Sequence, residues 1–269
     1  MAVARPAARW RVASVVVAAR GRGVSVRVFV RVDAAPRPGA VLSLDHDEHH
    51  YLARVRRVRP GQAVEALDLR GQRWQAAVEA IDAKQASIRL VRSMPTRPAP
   101  PSVAIIGLPS PAAALDAVAR CCELGVEDVL LVRCELSQVG PPSDARTTRV
   151  LRASQRQCGR PREPRVQSLS LAEALAFRGE IPLFVGERDA DVKEPRLDHA
   201  RSGFRVAVGP EGGFSVREQA QLRDGGAIGL QLGPWTLRTE VAIVAACSRL
   251  AAAAERRPHV ACGPKPTSA

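Results

Sequence analysis

The feature that most narrows the fold of this chain is an alternation that begins near residue 103. Short apolar runs, VAIIG, DVLLVRC, PLFVG, FRVAVG and AIGLQLG, are separated by stretches with helical spacing. Strands that alternate with helices predict an α/β fold built on a parallel sheet, because parallel strands need crossovers and helical crossovers cover both faces. The helices carry their own punctuation. Ser110 is placed to cap a helix with Pro111 at its first position, ending at Gly125. Asp144 to Gln157 reads as a second helix stopped by Gly159, followed by a short strand in PRVQS and a helix over Leu171 to Phe177. A long apolar helix, from about Leu237 to Arg256, follows the last strand.

Upstream the period changes from helical to twofold. VSVRVFVRV alternates from residue 24, and further strands are predicted at 40–44, 63–69, 73–81 and 86–91. One helix interrupts them, starting at Asp45 or Asp47 and ended by Pro60-Gly61. This reads as a small β-barrel over residues 26–95, separated by the Pro-rich segment RSMPTRPAPPS, Arg92 to Ser102, from an α/β domain over 103–256. Residues 257–269 read as a loose tail. Residues 1–25 set basic residues around a short apolar run, Val12 to Ala19, and read as a disordered or mis-started extension, the other reading being a short targeting peptide. No run approaches the ~20 apolar residues of a membrane-spanning helix.

Charge separates the two halves. The chain carries 40 Lys and Arg against 27 Asp and Glu, a net +13. Residues 1–100 hold 18 against 8 and residues 101–269 hold 22 against 19, so surpluses of 10 and 3. Most of the basic residues are Arg, whose planar fork matches phosphate, so a nucleic-acid partner is favoured over an acidic small molecule; the alternative is an Arg-rich composition with no nucleic-acid role. Arg27, Arg31, Arg54, Arg57, Arg160 and Arg162 are the candidate phosphate contacts. The six cysteines form no CxxC pair and have no His at zinc-ligand spacing, so neither a metal site nor a disulfide scaffold is expected, and a reduced, cytoplasmic protein is. His46 and His50 lie one helical turn apart but lack a third ligand nearby.

The chemistry concentrates in VGPEGGFS, Val208 to Ser215, and LGPWTLRTEV, Leu232 to Val241. Each Gly-Pro turn follows a strand and leads into a helix, and open α/β sheets bind ligands outside the carboxyl ends of their strands. Glycine there lets backbone N–H groups approach a ligand, and Ser215 with Glu218 forms a capping box for the next helix. No Gly-Lys-Ser/Thr follows either turn and no GxGxxG opens the first βα unit, which argues against a P-loop and a dinucleotide fingerprint.

These two turns together resemble the signature of the RsmE-type family of small-subunit (16S) rRNA uridine-N3 methyltransferases, in the SPOUT superfamily. The likeness extends to Glu123-Leu124-Gly125-Val126, to Gly159, Arg160, Arg162 and Pro164, and to RVRRVRPGQ, covering roughly residues 26–255. The resemblance implies a SPOUT-type parallel sheet with a C-terminal trefoil knot, an N-terminal PUA-like barrel that grips RNA, a homodimer, and S-adenosylmethionine as cofactor without a metal. It assigns cofactor contacts to Val208, Gly209, Pro210, Glu211, Gly212 and Gly213, to Leu232, Gly233, Leu237, Arg238 and Thr239, and to Val185 on the strand end Phe184 to Gly186. Catalysis falls to Arg238, stabilising charge on the uracil, with Glu240 orienting it; the alternative is that both cap the last helix. The expected partner is small-subunit rRNA or the assembled subunit. This chain departs from the family pattern at Trp235, Val241, Leu136, Arg156 and the segment PSPAAALDAVAR. The departures leave a second reading open, a divergent member with another RNA target or a catalytically weak RNA-binding assembly protein.

Overall fold

The computed structural model describes residues 26–32, 35–96, 99–190, 192, 195 and 203–255. The readings for residues 1–25 and 257–269 fall on residues outside this set. The chain divides into two compact units, one running to Pro95 apart from Leu69–Gly71, the other comprising those three residues and the chain from Thr96.

The first unit is a five-stranded sheet of β1 (Arg27–Phe29), β2 (Val41–Ser43), β3 (Ala63–Leu67), β4 (Arg73–Ile81) and β5 (Ala86–Met94), in the order β1-β3-β4-β5-β2. β1 runs parallel to β3 and the other pairs are antiparallel. Val28, Val64, Trp74, Val78 and Ile88 from the strands pack with Leu52 into one core. The alternation at 24–32 predicts a longer first strand than β1. On its other edge the Phe29 N–H donates to the buried Glu48 carboxylate at 3.1 Å, and the Val30 N–H still reaches the Leu67 carbonyl of β3 at 2.9 Å. Asp45 caps α1 (His46–His50) by accepting the Glu48 N–H at 2.9 Å. The single helix predicted to reach Pro60 instead becomes a π-helical turn, Tyr51–Val55, in which the Arg56 N–H reaches back to the Tyr51 carbonyl.

In the second unit the strands are β6 (Ser102–Gly107), β7 (Asp128–Val132), β8 (Arg165–Leu169), β9 (Leu183–Glu187), β10 (Phe204–Val208) and β11 (Ile228–Gln231). Their order is β11-β9-β10-β6-β7-β8, and every neighbouring pair is parallel. The chain moves outward from β6 through β7 to β8, then returns to fill the other side, so β6 and β10 meet where the direction reverses. Such a switch point opens a crevice at the carboxyl ends of the strands. The helices are α2 (Pro111–Glu123), α3 (Asp144–Cys158), α4 (Leu171–Ala176), α5 (Val216–Asp224) and α6 (Thr239–Glu255). Side chains alternate across β6, with Ala104 and Ile106 facing a core shared with α2, α3 and α6 and Val103 and Ile105 facing one shared with α4 and α5.

Local chemistry fixes the helix ends as the sequence predicts. Ser110 caps α2, Gly159 closes α3 with a φ of 78°, and Ser170 with Glu173 and Ser215 with Glu218 form capping boxes on α4 and α5. Two buried charges brace the sheet. Asp128, fully buried at the start of β7, accepts from Arg165 Nη2 at 2.9 Å and pairs with Arg178 at 3.1 Å. Arg205, 3% exposed in β10, donates to the carbonyls of Ile181 at 2.8 Å and Phe177 at 3.2 Å, and to that of Leu175. It supplies the donors that the turn between α4 and β9 lacks.

Arg205→Met keeps an unbranched, flexible side chain over most of the stem but removes these donors and leaves buried carbonyls unsatisfied. A loss of about 2–4 kcal/mol in urea unfolding is expected. In the first unit, burial raises the Glu65 carboxyl, but Arg27 at 2.8 Å and Arg73 at 3.1 Å outweigh it and hold the group below its ordinary range. A depressed carboxyl stabilises the fold above its unfolded pKa, and the contribution is lost as pH falls through the folded value. Glu65→Gln is therefore expected to lower stability at neutral pH and to flatten its fall between neutral and acid pH, measured by denaturant midpoints across that range.

Candidate functional site

The site is built from backbone turns at the carboxyl ends of β6, β9, β10 and β11. β6 ends at Gly107, where a Cβ would lie 2.5 Å from Pro210 Cδ and 2.9 Å from Cys134 Sγ. Only glycine lets the turn after β10 descend onto the end of β6. Gly213 completes that turn at a φ of 75°, and its N–H donates to the Pro210 carbonyl at 2.8 Å. On the neighbouring strand a Cβ at Gly186 would lie 2.8 Å from Leu232 Cδ1, so the turn after β11 sits directly on the end of β9.

Carboxylates staple the turn after β10 to its neighbours. Glu211 Oε1 accepts the Ser110 N–H at 3.1 Å, which joins the turn to the start of α2. Glu218, 5% exposed, accepts the Ser215 N–H and the Glu135 N–H, each at 2.8 Å, which joins it to the loop after β7. Burial pushes the Cys134 thiol up to about 12, and the Glu218 carboxylate adds to the rise, so Cys134 is a protonated packing group rather than a nucleophile. The buried Thr239 Oγ1 donates to the Gly209 carbonyl at 2.9 Å, tying the first residue of α6 to the same turn.

These turns enclose a cavity of about 480 Å³. Of the residues assigned to cofactor contact, Val185, Val208, Gly209, Pro210, Glu211, Gly213, Leu232, Gly233 and Leu237 line it. Thr239 lies behind the wall, on the Gly209 carbonyl. Gly212 lines a different cavity, of about 450 Å³, with Pro109, Ser110, Leu136, Gln138 and Val139; Glu211 is common to both linings. Arg238 is exposed next to Leu237, and its carbonyl accepts from Val241 and Ala242 at the start of α6. Glu240 is half-buried in the first turn of α6, where an acid is favourable, and among the described residues no ion pair joins it to Arg238.

The sequence reading missed several residues of the first cavity. Glu187 ends β9 and Arg188 and Asp189 follow it, Gln219 and Arg223 come from α5, and Trp235 stands 78% exposed on the wall. A strand end plus a charged triplet was the only signal for the first three. The wall thus combines apolar side chains, backbone polar groups, carboxylates and arginines. That donor set fits a ligand with a flat heteroaromatic part and a zwitterionic, cationic tail.

The candidate phosphate contacts divide. Arg31, Arg54, Arg57 and Arg162 are exposed. Arg27 is held against Glu65, and Arg160 donates to the Cys122 carbonyl at 3.2 Å. Among the described residues no group of three His, Cys, Asp or Glu gathers as a metal site would require, and no helix is long and apolar enough to cross a membrane.

Comparison with known proteins gives consistent matches. The family model described as "RNA methyltransferase domain" matches residues 97–251, and that described as "RNA methyltransferase PUA domain" matches residues 44–91. Ribosomal RNA small subunit methyltransferase E of Mycobacterium bovis is 30% identical over 235 residues, covering 82% of this chain and 90% of the relative. The Aquifex aeolicus protein of the same name is 26% identical, covering 80% and 95%. Among solved structures, ribosomal RNA small subunit methyltransferase E from Neisseria gonorrhoeae, bound to S-adenosyl methionine, superimposes with a TM-score of 0.73 at 24% identity, covering 83% of this chain and 95% of that one. A family model spanning more than half of the residues, with a relative 30% identical over most of the length, shows that the chain belongs to the RNA methyltransferase family.

Proposed function

We propose that the protein methylates N3 of a uridine in small-subunit (16S) ribosomal RNA, using S-adenosylmethionine held in the 480 Å³ cavity. The observation that carries this reading is the cavity itself, assembled from the Gly-Pro turns after β10 and β11 in a chain of the RNA methyltransferase family. The names of its relatives support the RNA target. When bound, the sulfonium supplies an electrophilic methyl carbon. The turns at Gly186, Gly209 and Gly233 would present backbone groups to the adenine, with Val185, Leu232 and Leu237 against its faces. Glu187 and Asp189 would face the cationic tail, and Arg188 or Arg223 its carboxylate. Reading a ligand through backbone atoms makes turn geometry the requirement, which side-chain identity alone would not meet.

Uridine N3 carries a proton, so its attack on the methyl needs that proton removed and the resulting charge stabilised. We assign the charge stabilisation to Arg238, exposed and next in sequence to the cavity-lining Leu237, with Glu240 two residues on to orient it. The trefoil knot, the homodimer and the cytoplasmic location belong to the same reading. For the knot, the support is that α6 follows the edge strand β11 yet packs against β6 and β10 with Thr239 bonded to the turn at Gly209. For the dimer, it is the apolar surface of Val216 and Val241, 82% and 48% exposed. The domain boundaries, a barrel over 26–95 and a methyltransferase domain over 103–256, stand as part of this reading.

The test is transfer of labelled methyl from S-adenosylmethionine to small ribosomal subunits that lack uridine-N3 methylation, with the nucleoside identified by mass spectrometry. Formation of 3-methyluridine is expected, and Arg238→Ala is expected to lose about 10²-fold in kcat with cofactor affinity kept. Cofactor binding without transfer to a subunit that an active relative methylates would move the chain to another RNA target or to an assembly role. For RNA binding, the exposed Arg31, Arg54 and Arg57 are the phosphate contacts of the basic unit. Three such contacts imply an affinity that falls about thirtyfold between 50 and 200 mM salt. Titration of the Arg54→Ala, Arg57→Ala double variant should show a salt dependence reduced by about two counterions.

A further inference from the structure

The second cavity has no part in cofactor binding as described above. Its volume is about 450 Å³, and Glu211 is the residue that it shares with the first. The GPEGG turn is therefore a partition with a cavity on each side. It is a thin one, because Gly212 has no side chain, and a Cβ added there would lie 3.2 Å from the Cβ of Leu136, with which it shares the lining of the second cavity.

What such a space would take follows from the reaction, and the inference rests on the reading of the first cavity as the seat of the methyl donor. In-line transfer brings acceptor and methyl carbon to about 3–3.5 Å, so the acceptor must occupy space that borders the donor cavity. Enzymes that modify a base take it out of the stack and hold it in a pocket with apolar walls and a few polar groups. Pro109, Leu136 and Val139 supply apolar walls, and the exposed Gln138 supplies an amide donor and acceptor. Glu211 is prepared for a further role. Its Oε1 is fixed by the Ser110 N–H at 3.1 Å, and among the described residues its Oε2 has no hydrogen-bond partner.

We propose that the second cavity seats the target uracil and that Glu211, in the partition between the two cavities, takes the proton from N3. Uracil N3 passes its proton to Glu211 Oε2, and its electron pair forms the N–CH₃ bond. The S–CH₃ bond breaks with its electron pair left on sulfur. A sulfonium, a neutral N–H and a carboxylate become a thioether, an N-methyl group and a carboxylic acid, so atoms and charge balance. Gln138 donates to a ring carbonyl beside N3. Cytosine has no proton on N3, so the same geometry selects against it.

The test uses the full chain with S-adenosylhomocysteine bound and uridine 5′-monophosphate as probe. Binding of the probe is read by NMR shifts of the Leu136 and Val139 methyl groups, and cofactor affinity by calorimetry. Leu136→Trp, which fills the second cavity, is expected to abolish probe binding and to raise KM for small subunits at least tenfold with cofactor affinity unchanged. Gln138→Ala should weaken the probe and reduce its preference over cytidine 5′-monophosphate. Glu211→Gln keeps an oxygen for the Ser110 N–H but cannot accept the proton. It should lose about 10²-fold in kcat, with a rate that climbs with pH beyond the wild-type plateau as solvent base removes the N3 proton. Wild-type probe binding in Leu136→Trp and Gln138→Ala, or a wild-type kcat and pH profile in Glu211→Gln, would overturn the proposal. A wild-type chain that fails to bind cofactor would overturn the reading of the first cavity, and this inference with it.

Discussion

The close approach of the GPEGG turn to the end of β6 is the constraint on which the rest of the second unit depends. Pro210 can lie where it does because Gly107 has no Cβ, and the register of β10 on β6, with Val208 opposite Ile106, brings the turn to that point. Once seated, the turn is held by charge-assisted bonds from two carboxylates, Glu211 to Ser110 and Glu218 to Glu135. Such bonds run about 1.5–3 kcal/mol each, enough to bind three βα connections into one rigid rim. A rim of that kind can present backbone atoms to a ligand without reorganising on binding, which is the condition for reading a cofactor by its edges.

The same rigidity separates two jobs. Glu218 is buried and fully used as a fastener, whereas Glu211 is exposed and half used. Both are acids at the mouth of one crevice, and burial and hydrogen bonding alone assign them different roles. Cys134, beside them, shows the third outcome: desolvation and a neighbouring carboxylate keep its thiol protonated, so it contributes volume and no chemistry.

Much of this was legible in the sequence because it is local. Caps such as Ser110 and Ser215, the stop at Gly159, and the strand-turn-helix order around both Gly-Pro turns depend on residues a few positions apart, and the structure places them as the pattern predicts. The π-helical turn at Tyr51–Val55 was not legible, because its side-chain spacing over one turn is close to that of an α-helix. Nor was the fate of Arg27 or Arg160. Each reads as a surface cation until the fold brings Glu65, 38 residues away, or the Cys122 carbonyl within reach. The division of Gly209 to Gly213 between two cavities was hidden for the same reason, since a turn's two faces are set by what packs against each.

The positions where the chain departs from the family pattern can now be placed. Trp235, 78% exposed, stands on the wall of the first cavity and Leu136, about half exposed, on that of the second, while Val241 is a half-exposed residue of α6. None of them replaces an atom that shapes a turn. Gly107, by contrast, has no room for a Cβ against the Pro210 backbone, and at Gly209 a Cβ would crowd the Gly213 and Phe214 backbone at 3.1 Å. A site that reads one ligand through backbone atoms and meets the other through side chains will conserve its turns under a strict steric limit, while its rims are free to change with the RNA they face. On that argument cofactor recognition is the part of this protein fixed by the fold, and under the proposal for the second cavity target recognition is the part carried by Leu136 and Gln138.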